Sequence, residues 1–197
     1  MKKKGLLWIV LGLLLIAAAF SIIGYNVVDN IRAKHASQKA LQELEAMIKD
    51  MPEVDYPEYM RYPDMEMPVK KIDDREYVGM ISLPSIGREL PVISDWNYEN
   101  LETAPCRYAG SAYKNNMVIC AHNYDSHFGL ISNLNYGDSI IFTDMVGNVF
   151  EYRVTEVVSL EPTENEIMKN GEWDLTLFTC TLNGADRVTV RCELIDK

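Results

Sequence analysis

The sequence predicts an all-β barrel or sandwich held outside a membrane by an N-terminal helix. Three observations carry this. The chain opens on lysines and a long uncharged apolar run, continues through a proline-spaced acidic segment, and from Tyr77 onward breaks into short strand-like runs separated by turn residues. At 197 residues it is long enough for one ordinary domain with an appendage.

The N-terminus reads MKKKGLLWIVLGLLLIAAAFSIIGYNVV, three lysines ahead of an apolar run from Gly5 to Val28. A helix of ~20 apolar residues spans the ~30 Å bilayer core, so this run suffices. Lysines before it and Asp29 as the first charge after it favour a cytoplasmic N-terminus with the remainder outside. Ala17, Ala18 and Ala19 offer a cleavable signal peptide as the competing reading. The apolar stretch continues past them through Ile22 and Ile23, which favours a retained single-pass anchor in a bacterial cell membrane.

Residues 29–50, DNIRAKHASQKALQELEAMIKD, place Ile31, Leu41, Leu44 and Ile48 partly at three- and four-residue spacing among good helix formers, predicting a juxtamembrane helix or stalk. His35 sits there on a polar, solvated stretch. Prolines 52, 57, 63 and 68 then interrupt an acidic segment rich in Tyr and Met. They predict an extended, stiff connector, which either spaces the domain from the membrane or packs over it as a strap. The expected divisions are thus 1–28 for the anchor with its basic tip, 29–68 for juxtamembrane helix and linker, and 69–197 for the barrel domain.

Within that last part YVGMISLP, ELPVI, NMVICAH, DSIIFTD, VFEYRVTEVVSL, LTLFTCTL and RVTVRCELI read as strands, giving seven or eight in all. NYENLET and FGLISNL are short helix-like pieces between them. No Gly-rich phosphate loop, HExxH helix or paired-carboxylate cleft appears, so the chemistry must sit on the strands and their connections. The net charge of −10 argues against a nucleic-acid partner, whose phosphates need a basic footprint. Cys106, Cys120, Cys180 and Cys192 match no CxxC metal spacing, and free thiols with at most one bridge are expected.

Asn183-Gly184 is a strong hairpin signal, because a two-residue type I′ turn needs positive φ at both central positions. That turn sets Leu182 across from Ala185, Thr181 across from Asp186, and Cys180 across from Arg187. Opposed residues share a face with Cβ atoms ~5 Å apart, within reach for a thiolate and a guanidinium. Against this stands the ordinary fate of a strand cysteine, a small buried hydrophobe with the arginine solvated. A nearby cation favours the thiolate, so both readings stay open on these residues alone. Two histidines lie in the domain: His122 at the end of the run MVICA, and His127 in the polar connection after it. The strand end is the more rigid platform for a proton-transfer group, and a surface or hydrogen-bonded structural role is the alternative for each. Cys120 shares a strand face with His122 and is a conceivable rival nucleophile without the opposed arginine.

TLFTC at 176–180, followed by the arginine opening the last strand, resembles the TLxTC signature of sortases, membrane-anchored cysteine transpeptidases of Gram-positive bacterial surfaces. VICAHNY resembles the histidine segment of that family, YVGMISLPSIGRELPVI its first two strands, and FGLISNLNYGDSIIF the stretch that follows the histidine. The likeness covers residues 75–195 in the right order. It implies a closed sortase-type β-barrel of seven to eight strands, with Cys180 as nucleophile, His122 as proton-transfer residue, Arg187 as the cation on the substrate carbonyl or oxyanion, and Thr179 lining the substrate groove.

The implied reaction cleaves an LPxTG-like sorting signal between Thr and Gly, forms a thioacyl enzyme, and transfers the protein to an amine of a cell-wall precursor or a pilin lysine. Partners are then surface proteins or pilins with a C-terminal sorting signal, the amine acceptor and the membrane. A thiol hydrolase using water on the same site, or a catalytically silent tethered binding module on the same barrel, are the alternatives. Ala121 departs from the family's usual glycine before the histidine. Arg191 repeats a charge on the face of Arg187 but lies outside the predicted Cys180 register, which suits a structural or rim role. The N-terminal anchor and the moderate connection SLEPTENEIMKNGEWD point to the N-anchored general type. No cofactor is required. Glu161, Glu164 and Glu166 raise a calcium site, against which solvated loop acids are the favoured reading, and no metal ligand is assigned.

Overall fold

The computed structural model describes residues 2–49, 56–161, 171–181 and 184–195. Among these, strands β1 (Lys70–Ile72), β2 (Arg75–Leu83), β3 (Arg88–Ile93), β4 (Cys106–Ala109), β5 (Met117–Cys120), β6 (Ser139–Asp144), β7 (Val149–Leu160), β8 (Leu175–Cys180) and β9 (Arg187–Leu194) run in the order β1-β2-β3-β4-β5-β8-β9-β7-β6. A further β2–β6 pairing, with Ile81 across from Phe142, closes β2 to β9 into an eight-stranded barrel, and β1 adds a short edge. The sequence patterns anticipate seven of these strands. β1 and β4 have three and four residues, too few for a period-two pattern to register.

Side-chain alternation sorts the barrel into two apolar layers. Ile81, Leu83, Ile119, Phe142, Leu177 and Val190 fill the interior. Ile72, Tyr77, Ile93, Cys106, Cys120 and Phe178 face outward and are roofed by Ala40 and Leu44 of helix α1 (Lys2–Lys49). The Leu7–Lys49 part of α1 contains an apolar window of mean hydropathy 2.6 with 0% buried, long and apolar enough to cross a membrane.

Beyond Val28 the same helix continues without a break and lies on the barrel. Its buried positions are Ala33, Ser37, Ala40 and Leu44, spaced i, i+4, i+7 and i+11, whereas the expected Ile31 is 48% exposed. The docking stripe is therefore built mainly from small residues, which let the helix approach β3 closely and which a hydrophobic-periodicity reading passes over. Ser126, in the β5–β6 connection, donates to Asn30 Oδ1 at 2.8 Å, and Lys39 pairs with Asp73 at 2.8 Å. His35 is exposed, as expected.

The described part of the proline-rich segment behaves as a strap rather than an extended spacer. One helical turn, α2 (Glu58–Arg61), forms directly after Pro57, which stands as its N-cap with extended backbone (φ −59, ψ 143). Tyr59 stacks on Tyr113 at 4.6 Å, and Met67 joins the interior layer. Tyr113 donates to the buried Asp144 at 2.6 Å. Tyr113 precedes the start of β5, whereas His122 follows its end, so the strap closes the end of the barrel away from the predicted site. Residues 51–55 lie outside the described residues. Replacing Leu44 by Ala opens a cavity under the helix and is expected to cost ~2–4 kcal/mol, read as an earlier urea unfolding midpoint of the full chain in detergent.

Candidate active site

The site is set by two parallel strands. β5 and β8 pair in the register Val118 with Thr176, Ile119 with Leu177, and Cys120 with Phe178. Ala121 N donates to Phe178 O at 3.2 Å, carrying the ladder past the end of β5. Continuing it two residues sets His122 level with Cys180, and partners in register share a face. The thiol and the imidazole thus stand side by side at neighbouring strand ends, on the outer face that also carries Cys120 and Phe178. Both are half-buried.

Arg187 completes the row. It opens β9 as the antiparallel partner of Cys180, which is the register expected from the sequence. Beyond that pair Thr181 N donates to Asp186 O at 3.0 Å, while Asp186 N donates to the Thr181 hydroxyl at 3.1 Å. Gly184 has φ +70, which suits a residue without a side chain, and its N–H closes on Thr181 O at 2.8 Å. Leu182 and Asn183, the other part of the expected turn, lie outside the described residues. One terminal nitrogen of Arg187 donates to Asp186 O at 3.1 Å. Its Nε and Nη2 make no hydrogen bond among the described residues, leaving part of the guanidinium fork for an incoming oxygen.

Arg191, four pairs further along β9, is committed elsewhere. It binds Glu156 at 3.0 Å with its side chain 14% exposed, and its guanidinium lies 5.4 Å from the Trp173 ring centre. Thr179 is placed differently from a groove-lining residue. Its side chain turns inward, is 3% exposed, and donates to Ala121 O at 2.8 Å. The hydroxyl therefore ties the residue before Cys180 to the residue before His122, fixing one strand end against the other.

Residues the sequence reading did not single out surround His122. Tyr124 packs its ring 4.9 Å from the imidazole, and Phe128 N donates to His122 O at 3.2 Å, closing the connection on itself. Burial lowers the His122 pKa below its ordinary 6.5, with the Glu102 carboxylate acting in the opposite direction. Tyr124, Glu102 and Thr103 line one wall of a cavity of about 300 Å³ whose other wall is α1, at Asp29, Arg32 and Ala33. Helix α1 consequently reaches the immediate surroundings of the histidine.

His127 is not a surface group but an enclosed one. It is 0% exposed, and neither ring nitrogen makes a well-formed hydrogen bond although the backbone of Thr103 and Ala33 lies against it. Burial, with the neighbouring His122 charge, pushes its pKa down to about 4. Cys106, Cys120 and Cys192 are free and buried. Among the described residues no cluster of three or more His, Cys, Asp and Glu is arranged to hold a metal ion, and Glu164 and Glu166 lie outside them.

A closed barrel that brings a thiol, an imidazole and a guanidinium to adjacent strand ends defines a cysteine-dependent acyl-transfer class. The sortase domain family matches residues 81–195, and the chain belongs to that family, whose members are cysteine transpeptidases. It is 26% identical over 187 residues, covering 90% of this chain and 89% of the relative, to sortase A of Bacillus anthracis. It is 30% identical over 132 residues to sortase A of Listeria monocytogenes, covering 62% of this chain and 59% of that one. The structure of Clostridium perfringens sortase C with the C-terminal cell wall sorting motif shares the fold, with a TM-score of 0.63 at 19% identity over 82% of this chain and 100% of that one.

Two outcomes test this local account. Thr179→Val leaves Ala121 O without its buried donor and is expected to lower stability by ~1–3 kcal/mol, with Thr179→Ser largely restoring the urea midpoint. His127, neutral when folded, resists the protonation that the unfolded chain accepts below its ordinary 6.5, so stability is complete above that pH. It falls as pH drops toward 4, by roughly 3 kcal/mol from this group. The difference in unfolding free energy between the parent chain and His127→Leu, followed from pH 7 to 4, measures that loss.

Proposed function

We propose that this chain is an N-anchored sorting transpeptidase. It cleaves an LPxTG-like C-terminal signal of a surface protein or pilin and joins the new carboxyl end to an amine of a cell-wall precursor or a pilin lysine. The observation that carries the reading is the row Cys180, Arg187 and His122 across three adjacent strands. Cys180 attacks the scissile carbonyl while His122 accepts the thiol proton, a task suited to an imidazole that burial keeps neutral at pH 7. The carbonyl π electrons move onto oxygen, where the open donors of Arg187 offset the charge. The C–N bond then breaks as His122 protonates the leaving amine, and a thioacyl enzyme remains. An acceptor amine attacks it, the C–S bond breaks, and the proton shed by the amine returns through His122 to the Cys180 sulfur.

The apolar stretch of α1 and its preceding lysines support a cytoplasmic N-terminus with the barrel outside the cell. No cofactor enters any of these steps.

The test is product analysis by mass spectrometry on an LPxTG-type peptide, with and without an added primary amine. Amide product in its presence, abolished by Cys180→Ala and reduced ~10²–10³-fold in kcat by Arg187→Ala, is expected. Free acid alone under both conditions would replace the transferase by a hydrolase, and no turnover with an unreactive Cys180 would leave a binding module. Because His122 must be neutral to accept the thiol proton, the acid limb of kcat/KM is expected below its ordinary 6.5.

A further inference from the structure

Three of the cysteines lie in line across three neighbouring strands. Cys180 ends β8; Cys120 on β5 is the register partner of Phe178, two residues before Cys180; and Cys106 on β4 is the register partner of Cys120. Register partners share a face, as do residues two apart on a strand, so all three thiols point outward. Cys106 and Cys120 lie in the outer apolar layer, whereas Cys192 belongs to the interior one.

Directly opposed residues of an antiparallel pair have Cα atoms ~4.5–5.5 Å apart, inside the ~4.4–6.8 Å window of a disulfide. Cys120 and Cys180 are diagonal neighbours on the parallel β5–β8 pair, which strand spacing and rise place ~8 Å apart at Cα. A bond between them needs the Cys180 end of β8 to move toward Cys120, into the ~4.4–6.8 Å Cα window of a disulfide. The Cys180 charge already acts on the Cys120 thiol.

We propose that Cys120 and Cys106 form a thiol relay that removes an oxidising equivalent from Cys180 and stores it as a Cys106–Cys120 disulfide. The co-reactant is a low-molecular-weight disulfide, RSSR. The Cys180 thiolate attacks one of its sulfurs, forming Cys180–S–S–R and releasing RS⁻. Cys120 loses its proton to the departing RS⁻ and attacks the Cys180 sulfur, breaking the bond to R and releasing a second RS⁻, which takes up the proton that Cys180 gave up on forming its thiolate. Cys106 then attacks the Cys120 sulfur, and its proton passes to the liberated Cys180. In sum, RSSR and two thiols become one internal disulfide and two RSH. The stored form is uncharged and suits the apolar layer that holds it.

Burial pushes the Cys120 thiol up to about 12 and the Cys106 thiol up as well. At neutral pH both are protonated, so Cys120 does not intercept a thioacyl group on Cys180 during turnover. The relay is slow beside acyl transfer and quickens as pH rises.

The proposal rests on Cys180 being the reactive thiol, and one experiment separates the two. Full-length protein in detergent is treated with oxidised glutathione, freed of excess, and followed by intact mass, peptide mapping and peptide-transfer activity. Expected is loss of activity with glutathione on Cys180, then shedding of that group, recovery of activity and a mapped Cys106–Cys120 bridge. Recovery should be about tenfold faster per pH unit between pH 7 and 9. Cys120→Ala should remain glutathionylated and inactive, and Cys106→Ala should stop at a Cys120–Cys180 bridge, both having normal activity before oxidation. Parent protein that keeps glutathione on Cys180 without an internal bridge overturns the relay alone, whatever the variants do. Failure of Cys180 to take up glutathione at all overturns the reading of the site and the relay with it.

Discussion

The parallel pairing of β5 with β8 is the constraint on which the remaining architecture depends. Parallel neighbours cannot be joined by a tight turn, and among the described residues the chain between Cys120 and Leu175 makes two further strands before returning. Those strands, β6 and β7, supply the β2–β6 closure and the β7–β9 ladder that hold β8 and β9 in place. The excursion that separates His122 from Cys180 in sequence therefore also builds the wall that reunites them. A rim formed by three strand ends of one closed sheet leaves little freedom for the catalytic row, and the Thr179–Ala121 hydrogen bond removes much of what is left.

Much of this was legible in the sequence because it rests on local geometry. The pairing of Cys180 with Arg187 follows from counting outward from an Asn-Gly dipeptide, and long alternating strands such as β7 declare themselves. The parallel register is a different matter. Nothing in VIC or LFTC states that Cys120 meets Phe178; proximity of His122 to Cys180 came from family likeness, not from residue pattern. Thr179 shows the same limit, since alternation puts it on the opposite face from Cys180, a deduction available from the strand alone but masked by its adjacency to the nucleophile.

Burial of polar and small groups was the least visible property. The stretch NYDSHFG looks solvated, yet it contains His127, enclosed against Ala33 and Thr103. The alanines and serine of α1 carry no hydrophobic signal, yet they decide which helix face meets the barrel. Both misreadings have one cause: the partner surface comes from distant parts of the chain, and the enclosure of these residues is a property of the pair. A helix that contributes to the surroundings of His122 is more than a leash to whatever holds its apolar end.

That helix has a mechanical consequence. Because α1 runs unbroken from its apolar stretch into the seam beside β3, the barrel has no swivel between it and the lipid. Asn30, which holds Ser126, stands only two residues beyond Val28, the end of the apolar run. With α1 in a bilayer, the rim that carries Cys180, His122 and Arg187 would travel at a fixed height and orientation over the membrane plane. Encounter with any partner held in the same plane would then be a two-dimensional search at near-constant geometry, in which lateral diffusion and surface density, more than bulk concentration, set how often the two meet.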